Sequence, residues 1–257
     1  MSAKVAIVTG AAGDIGRAIS ARLRKEHDLV ILADLDLAAA QKAAGELGEG
    51  FIALAVDVTK PEACEAFAAE VAALGTLTTL VNNAGAARAV SLHGTSIADW
   101  DGDLALNLDA IFYLFKALAP QLIAAKGSIT NITSVNGMGV FGHPAYSAAK
   151  AGMIHLTKLI AVEYGKYGIR ANAVAPGTVR TQAWEARAKA NPNVFVEAAK
   201  HYALGRIATC QDIAEAVGFL ASPLASAITG VTLPVDCGLT TGIPALAATF
   251  SQSPDYQ

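Results

Sequence analysis

Short, continuous apolar runs alternate along the chain with longer stretches in which apolar positions return every three or four residues. The runs are 5–8, 29–33, 51–56, 77–81, 128–132, 171–175 and 231–235. Runs of this kind are buried on both faces, as the strands of a parallel sheet are. Between them, segments 15–25, 38–47, 61–74, 99–125, 145–166 and 212–221 carry the helical period. The alternation predicts one doubly wound α/β domain, a parallel sheet of seven strands flanked by helices. No Gly/Ser-rich or Pro-rich linker divides it, and no fixed-period repeat is present.

Two segments depart from the alternation. Residues 182–207 carry Trp184, Phe195 and Tyr202 among many alanines and read as a helical flap inserted after a strand. Ligands of open α/β sheets bind beyond the carboxyl ends of the strands, so the flap is expected to cover a substrate. The tail 238–257, with Pro244, Leu246 and Phe250, is too apolar to float freely and is expected to dock on this subunit or a neighbour.

Composition narrows the class. Of 257 residues, 53% are hydrophobic and 16% charged, which excludes disorder and calls for extensive burial. A net charge of −3 offers no basic footprint for nucleic acid. Cys64, Cys210 and Cys237 are too few and too scattered for a disulfide framework, which fits a reducing cytoplasm. The opening run is too short for a signal peptide or a span, and the apolar stretch around Leu104–Leu118 is broken by Asn107, Asp109 and Lys116, so a soluble protein without membrane contact is expected. The five histidines show no metal-ligand spacing, and no metal is expected.

Chemistry concentrates in two places. The first strand runs into Thr9-Gly10-Ala11-Ala12-Gly13-Asp14-Ile15-Gly16, a turn whose glycines would let backbone approach a pyrophosphate at a helix N-terminus. Such turns are common, but Asp34, at the end of the second run, is placed to accept both hydroxyls of an adenosine ribose. A 2′-phosphate would be repelled there, and the arginine closest to the glycine turn in sequence is Arg17, so NAD is expected rather than NADP. The second place is Tyr146 and Lys150, one helical turn apart on one face, with Ser134 ending the fifth run. A free phenol titrates at about 10, so a neighbouring ammonium and a cationic nicotinamide ring should favour the phenolate. Tyr146 would then exchange a proton with a substrate oxygen held by Ser134, while hydride passes to or from the cofactor.

In this order the motifs resemble the compact form of the short-chain dehydrogenase/reductase family over nearly the whole chain. The matching features are the glycine turn, Asp34, Asp57-Val58, Asn82-Asn83-Ala84-Gly85, Asn107, Ser134, Tyr146/Lys150, Pro176-Gly177-Thr178-Val179-Arg180-Thr181 and Ile228-Thr229-Gly230 leading to Val235-Asp236. The resemblance implies a Rossmann-type sheet and a catalytic set of Asn107, Ser134, Tyr146 and Lys150. It implies cofactor contacts at Gly10, Asp14, Ile15, Gly16, Asp34, Asp57, Val58, Asn83, Ala84, Gly85, Tyr146, Pro176 and Gly177, with Val179 and Thr181 on the carboxamide and Lys150 on the nicotinamide ribose. Asn107 would anchor a water that relays protons from Lys150. Members are commonly homotetramers pairing the helices that correspond here to 99–125 and 145–166.

Three features depart from the family pattern. Asp14 stands at the middle glycine position, where capping of the helix is the expected role. Cys237 replaces a glycine and should pack as a small apolar residue, and the tail runs past the usual family end. The function expected is hydride transfer between NAD and a secondary alcohol or ketone. An NADPH-dependent 3-oxoacyl thioester reductase and a non-catalytic dinucleotide-sensing regulator are the alternatives. Asn136, His143 and Trp184 are the expected substrate contacts, in a pocket completed by Val135, Met138 and Phe141.

Overall fold

All seven apolar runs form strands of a single parallel sheet. They are β1 (Lys4–Thr9), β2 (Leu29–Asp34), β3 (Phe51–Ala55), β4 (Thr76–Asn82), β5 (Ser128–Ile132), β6 (Arg170–Pro176) and β7 (Thr232–Val235). The order is β3-β2-β1-β4-β5-β6-β7, so Val8 of β1 lies between Leu32 of β2 and Val81 of β4. The computed structural model describes residues 2–256, with residues 183 and 185–187 described by their backbone alone; residues 1 and 257, at the ends of the expected domain, lie outside the described residues.

Alternation along β1 divides the interior. Val5 and Ile7 face a core built from α3 (Pro61–Ala72), α5 (Ala110–Ala125) and α6 (Pro144–Tyr164), in which Phe67, Leu118 and Met153 are buried. Ala6 and Val8 face a second core under α1 (Asp14–Leu23), α2 (Leu37–Leu47) and α9 (Cys210–Ala221), with Ile19, Leu23 and Val217. Strand order reverses between β1 and β4, which opens a crevice at the carboxyl ends of the strands.

The helix expected over 99–125 is three segments in one rod: α4 (Ile97–Leu104), a π-helical turn (Ala105–Asp109) and α5. Ser96 caps α4 by accepting the Asp99 N–H at 3.0 Å. A π turn leaves a carbonyl of the preceding turn without its usual donor, and here the Asn107 amide donates to Asp103 O at 2.9 Å. The rod spans 29 residues, with a mean hydropathy of 1.4 in its most apolar window, so length and composition alone would let it cross a membrane. Interruption by single polar residues is therefore too narrow a test for this segment. In the fold, its Leu114, Leu118 and Leu122 are buried against the sheet.

The flap holds a short turn (Gln182–Trp184), α7 (Glu185–Ala190) and α8 (Val194–Ala199). The tail folds back on this subunit as α10 (Pro244–Ser251), with Leu246 and Phe250 left exposed.

Candidate active site

The glycine turn at the head of β1 is built for close approach. Gly10 has φ +59°, and a Cβ there would stand 2.8 Å from Ala84 Cα. A Cβ on Gly16 would meet Gly10 O at 2.5 Å and Ala11 Cα at 2.7 Å. Asn83 pins the turn to the end of β4, donating to Thr9 O at 2.9 Å and Gly10 O at 3.1 Å. The N-cap of α1 is Gly13 and no side chain caps the helix, which leaves the first N–H groups, around Ile15 and Gly16, for an anion. Asp34 ends β2 beside this turn, its Oδ2 accepting the Ala12 N–H at 3.0 Å and its Oδ1 the Asp36 N–H at 3.2 Å. Arg17, which follows the glycine turn, is ion-paired with Glu46. Asp57 accepts from the Thr59 hydroxyl at 2.6 Å and its N–H at 3.0 Å, and the hydroxyl bond is the main cause that holds its carboxyl below the usual range. Val58 is buried next to it. Glycine cradle, uncapped helix start and ribose-height carboxylate together fit a nicotinamide dinucleotide.

Asp14 behaves differently from expectation. It does not cap α1, because it is the first helical residue rather than the N-cap. Its Oδ2 accepts the Gln182 N–H at 2.6 Å instead, tying the glycine turn to the start of the flap.

Across the crevice, α6 is fastened to β5. Lys150 Nζ donates to Ile132 O at 2.8 Å, and the Thr133 hydroxyl donates to Lys150 O at 3.0 Å. A buried chain from Asn82 through Asn131 to Thr157 joins β4, β5 and α6. Lys150 Nζ lies 5.4 Å from the centre of the Tyr146 ring, so phenol and ammonium share one face as the spacing predicts. Asn107 donates to Ala86 O at 2.8 Å, while its Oδ1 is buried without a partner. That oxygen and Lys150 Nζ lie 2.7 and 3.3 Å from the point where Gly85 would carry a Cβ, so only glycine leaves them room.

In the protein alone, burial dominates the charge balance at this pair. Burial pushes the Tyr146 phenol above its ordinary value; the Ser134 hydroxyl pulls it down, and the charge of Asp103 pushes it up again. Burial also pulls Lys150 down to about 7. The expected lowering of the phenol by Lys150 is therefore not a property of the protein alone, because the lysine is itself stripped of solvent and turned onto a backbone carbonyl. Sequence reasoning missed Asp103, which is buried beside the site and ion-paired with Arg88 at 2.6 Å. An aspartate on an apolar helix face, four residues before Asn107, was the available signal.

Ser134, Tyr146 and Lys150 line a cavity of about 1480 Å³ together with Pro176, Gly177, Val179 and Thr181. Asn136, His143 and Trp184 reach it as well. The Asn136 amide, however, is committed: it donates to Gly142 O at 2.9 Å and Ser147 Oγ at 3.2 Å and accepts from Ser134 Oγ at 3.2 Å. It orients Ser134, which also accepts the Asn136 N–H. Trp184 lies 6.1 Å from Phe195, ring centre to ring centre, at the cavity wall. Unforeseen lining comes from the tail, through Ile243, Pro244, Ala248 and Tyr256. Cys237 has φ +51° and packs against the second core, its turn held by Asp236 through the Gly238 and Thr240 N–H groups.

A sheet with its crevice at the reversal of strand order, and an ionisable pair on one helical turn facing it, is the framework of a nicotinamide dinucleotide oxidoreductase. Comparison with known proteins gives the family. Residues 10–240 match the family model described as Enoyl-(Acyl carrier protein) reductase. An uncharacterized oxidoreductase of Schizosaccharomyces pombe is 40% identical over 95% of this chain and 93% of its own. The meso-2,3-butanediol dehydrogenase of Serratia marcescens is 38% identical over 92% of this chain and 94% of its own. The crystal structure of a short chain dehydrogenase/reductase family oxidoreductase from Burkholderia thailandensis superimposes with a TM-score of 0.92 at 42% identity, covering 98% of this chain and 99% of that one. The chain belongs to the short-chain dehydrogenase/reductase family, and its relatives include alcohol and diol dehydrogenases.

Proposed function

We propose that the protein is an NAD-dependent secondary-alcohol dehydrogenase and ketone reductase, with Tyr146 as its general acid/base. The observation that carries this reading is the convergence of Tyr146, Ser134 and Lys150 on one cavity, with Asn107 Oδ1, unpartnered among the described residues, buried behind Gly85 of its lining. The bound nicotinamide supplies hydride exchange at the carbinol carbon. Ser134, already held by the Asn136 N–H, turns its own proton from Asn136 Oδ1 to the substrate oxygen. Tyr146 Oη takes the hydroxyl proton during oxidation and returns it during reduction. Lys150 Nζ, near neutrality at about 7, passes that proton on towards a water held by Asn107 Oδ1. With the cofactor bound, Lys150 would also hold the nicotinamide ribose, Val179 and Thr181 the carboxamide, and Asp34 the adenosine ribose.

Asp34 and the engagement of Arg17 by Glu46 support NAD over NADP, and disfavour the NADPH-dependent 3-oxoacyl thioester reductase reading. The intact catalytic set disfavours a non-catalytic dinucleotide sensor. Likeness to meso-2,3-butanediol dehydrogenase supports a small alcohol or ketone as substrate. The flap and the tail are proposed to roof that substrate. Exposed Phe112 on α5 and Leu159 and Val162 on α6 support pairing of these helices in a homotetramer. A cytoplasmic location, with neither nucleic acid nor membrane as partner, completes the proposal.

The test is a spectrophotometric panel of secondary alcohols with NAD or NADP at alkaline pH, followed by the corresponding ketones with NADH. NAD-linked turnover exceeding that with NADP is expected. A preference for NADP, or tight NAD binding without turnover of any alcohol or ketone, contradicts the proposal.

A further inference from the structure

His143 sits at the mouth of α6 in the left-handed region, with φ +54° and ψ +71°. Two bonds hold it there. Its N–H donates to Val90 O at 3.3 Å, and its Nδ1 lies 3.0 Å from Ala89 O. A carbonyl oxygen only accepts, so Nδ1 carries the proton of the neutral ring. Nε2, at the opposite edge, is then a lone-pair acceptor, and no described residue bonds to it. The ring stands 6.4 Å from that of Tyr146, centre to centre, nearly perpendicular to it, and lines the same cavity.

The cavity that the ring lines holds apolar walls and committed polar groups alongside Lys200 and His201. Val135, Phe141, Ile243 and Ala248 offer no polar side-chain atom. The Asn136 amide is used within the loop, and the Tyr202 hydroxyl accepts the Thr178 N–H at 2.9 Å. A fixed acceptor beside the general acid/base selects for a donor on the substrate carbon next to the one that reacts.

We infer that His143 Nε2 accepts a hydrogen bond from the second hydroxyl of a vicinal diol, or from the hydroxyl of the matching α-hydroxy ketone. This makes His143 the residue that selects such substrates over simple secondary alcohols. The inference rests on the proposed function. In the oxidation, the reacting carbinol carbon gives a hydride to NAD and its oxygen gives a proton to Tyr146, leaving a ketone. The neighbouring hydroxyl keeps its proton and only donates to Nε2.

The test compares meso-2,3-butanediol with 2-butanol as substrates of the whole protein with NAD. The unaltered enzyme is expected to favour the diol in kcat/KM by tenfold or more, since a site built to bond a hydroxyl penalises an analogue that lacks it (about tenfold or more). His143→Phe is expected to reduce that preference by about tenfold. Because phenylalanine strains a left-handed backbone, His143→Asn is measured alongside: asparagine tolerates positive φ, but its shorter side chain sets no acceptor at the Nε2 position. A second readout is the dead-end complex with NADH, where the diol raises the Tm more than 2-butanol does, and where this difference should shrink in both variants. Equal losses for the two alcohols, or an unchanged preference in His143→Asn, overturn the role of His143. NAD-linked turnover of other secondary alcohols without turnover of the diol overturns this inference alone, whereas absence of NAD-linked turnover of any alcohol or ketone overturns the proposed function and this inference with it.

Discussion

The cofactor side and the flap and tail proposed to roof the substrate are built on different principles. Around β1, β2 and β4, large side chains such as Phe67, Ile7 and Leu80 are buried, and the functional turn is fixed by short-range bonds from Thr9, Asn83 and Asp34. The flap and the tail bury little: Val196 is 64% exposed, and Phe250 is 80% exposed. The roof is anchored at points, such as the Asp14 contact to Gln182 and the Tyr202 hydroxyl on Thr178, rather than across a packed face. A scaffold that must position hydride transfer is rigid, whereas a cover that must admit and release substrate is drawn from the less stable part of the molecule.

Mutations at matched aromatic positions break or sharpen this contrast most strongly. Phe67→Ala, in the core, is expected to cost about 3–5 kcal/mol in denaturant unfolding. Trp184→Ala, in the roof, is expected to cost less than about 1 kcal/mol and to act on KM instead. Equal losses of stability would erase the distinction between the two regions.

Lys150 extends the comparison to the catalytic edge. Lys150→Met is expected to lower turnover about a hundredfold or more. Burial depresses Lys150 to about 7 in the fold, so between that value and its ordinary one the unfolded chain binds more protons. Stability of the unliganded protein should therefore rise with pH from about 7 to 8.5, and Lys150→Met should flatten the rise. The window ends there because Cys64, raised by burial to about 11, pulls stability down once free thiols ionise.

Asp34→Asn removes the carboxylate beside the ribose site and should narrow the preference for NAD over NADP in kcat/KM by on the order of tenfold to a hundredfold. The smallest effect is at the junction of the two regions. Asp14→Asn weakens the contact to Gln182 and removes a negative charge from the pyrophosphate end of α1. NAD should then bind about two- to fivefold more tightly, while the flap is cut faster in limited proteolysis.

The sheet was legible because each strand is an apolar run bounded by helical periodicity, and that pattern is local. Strand ends moved by no more than a residue or two, where Asp34, Asn82 and Pro176 extend strands past their last apolar position. The Tyr146/Lys150 face was legible for the same reason, since both residues lie within one helical turn. What was hidden depends on partners distant in sequence or on burial. Asp14 reads as a cap until Gln182 is folded against it. The π turn at Asn107 comes from a change in hydrogen-bond register, which the apolar period does not record. The upward shift of the Tyr146 phenol follows from loss of solvent, while proximity to lysine suggests the opposite.

The central claim is that the Tyr146 hydroxyl exchanges the substrate proton in this cavity, and single-turnover kinetics of Tyr146→Phe with saturating NAD test it most directly. NADH fluorescence titration should give a Kd within a few fold of the unaltered protein, and the hydride-transfer rate should fall by about a thousandfold. A rate within tenfold of the unaltered enzyme at the same cofactor occupancy would contradict the account.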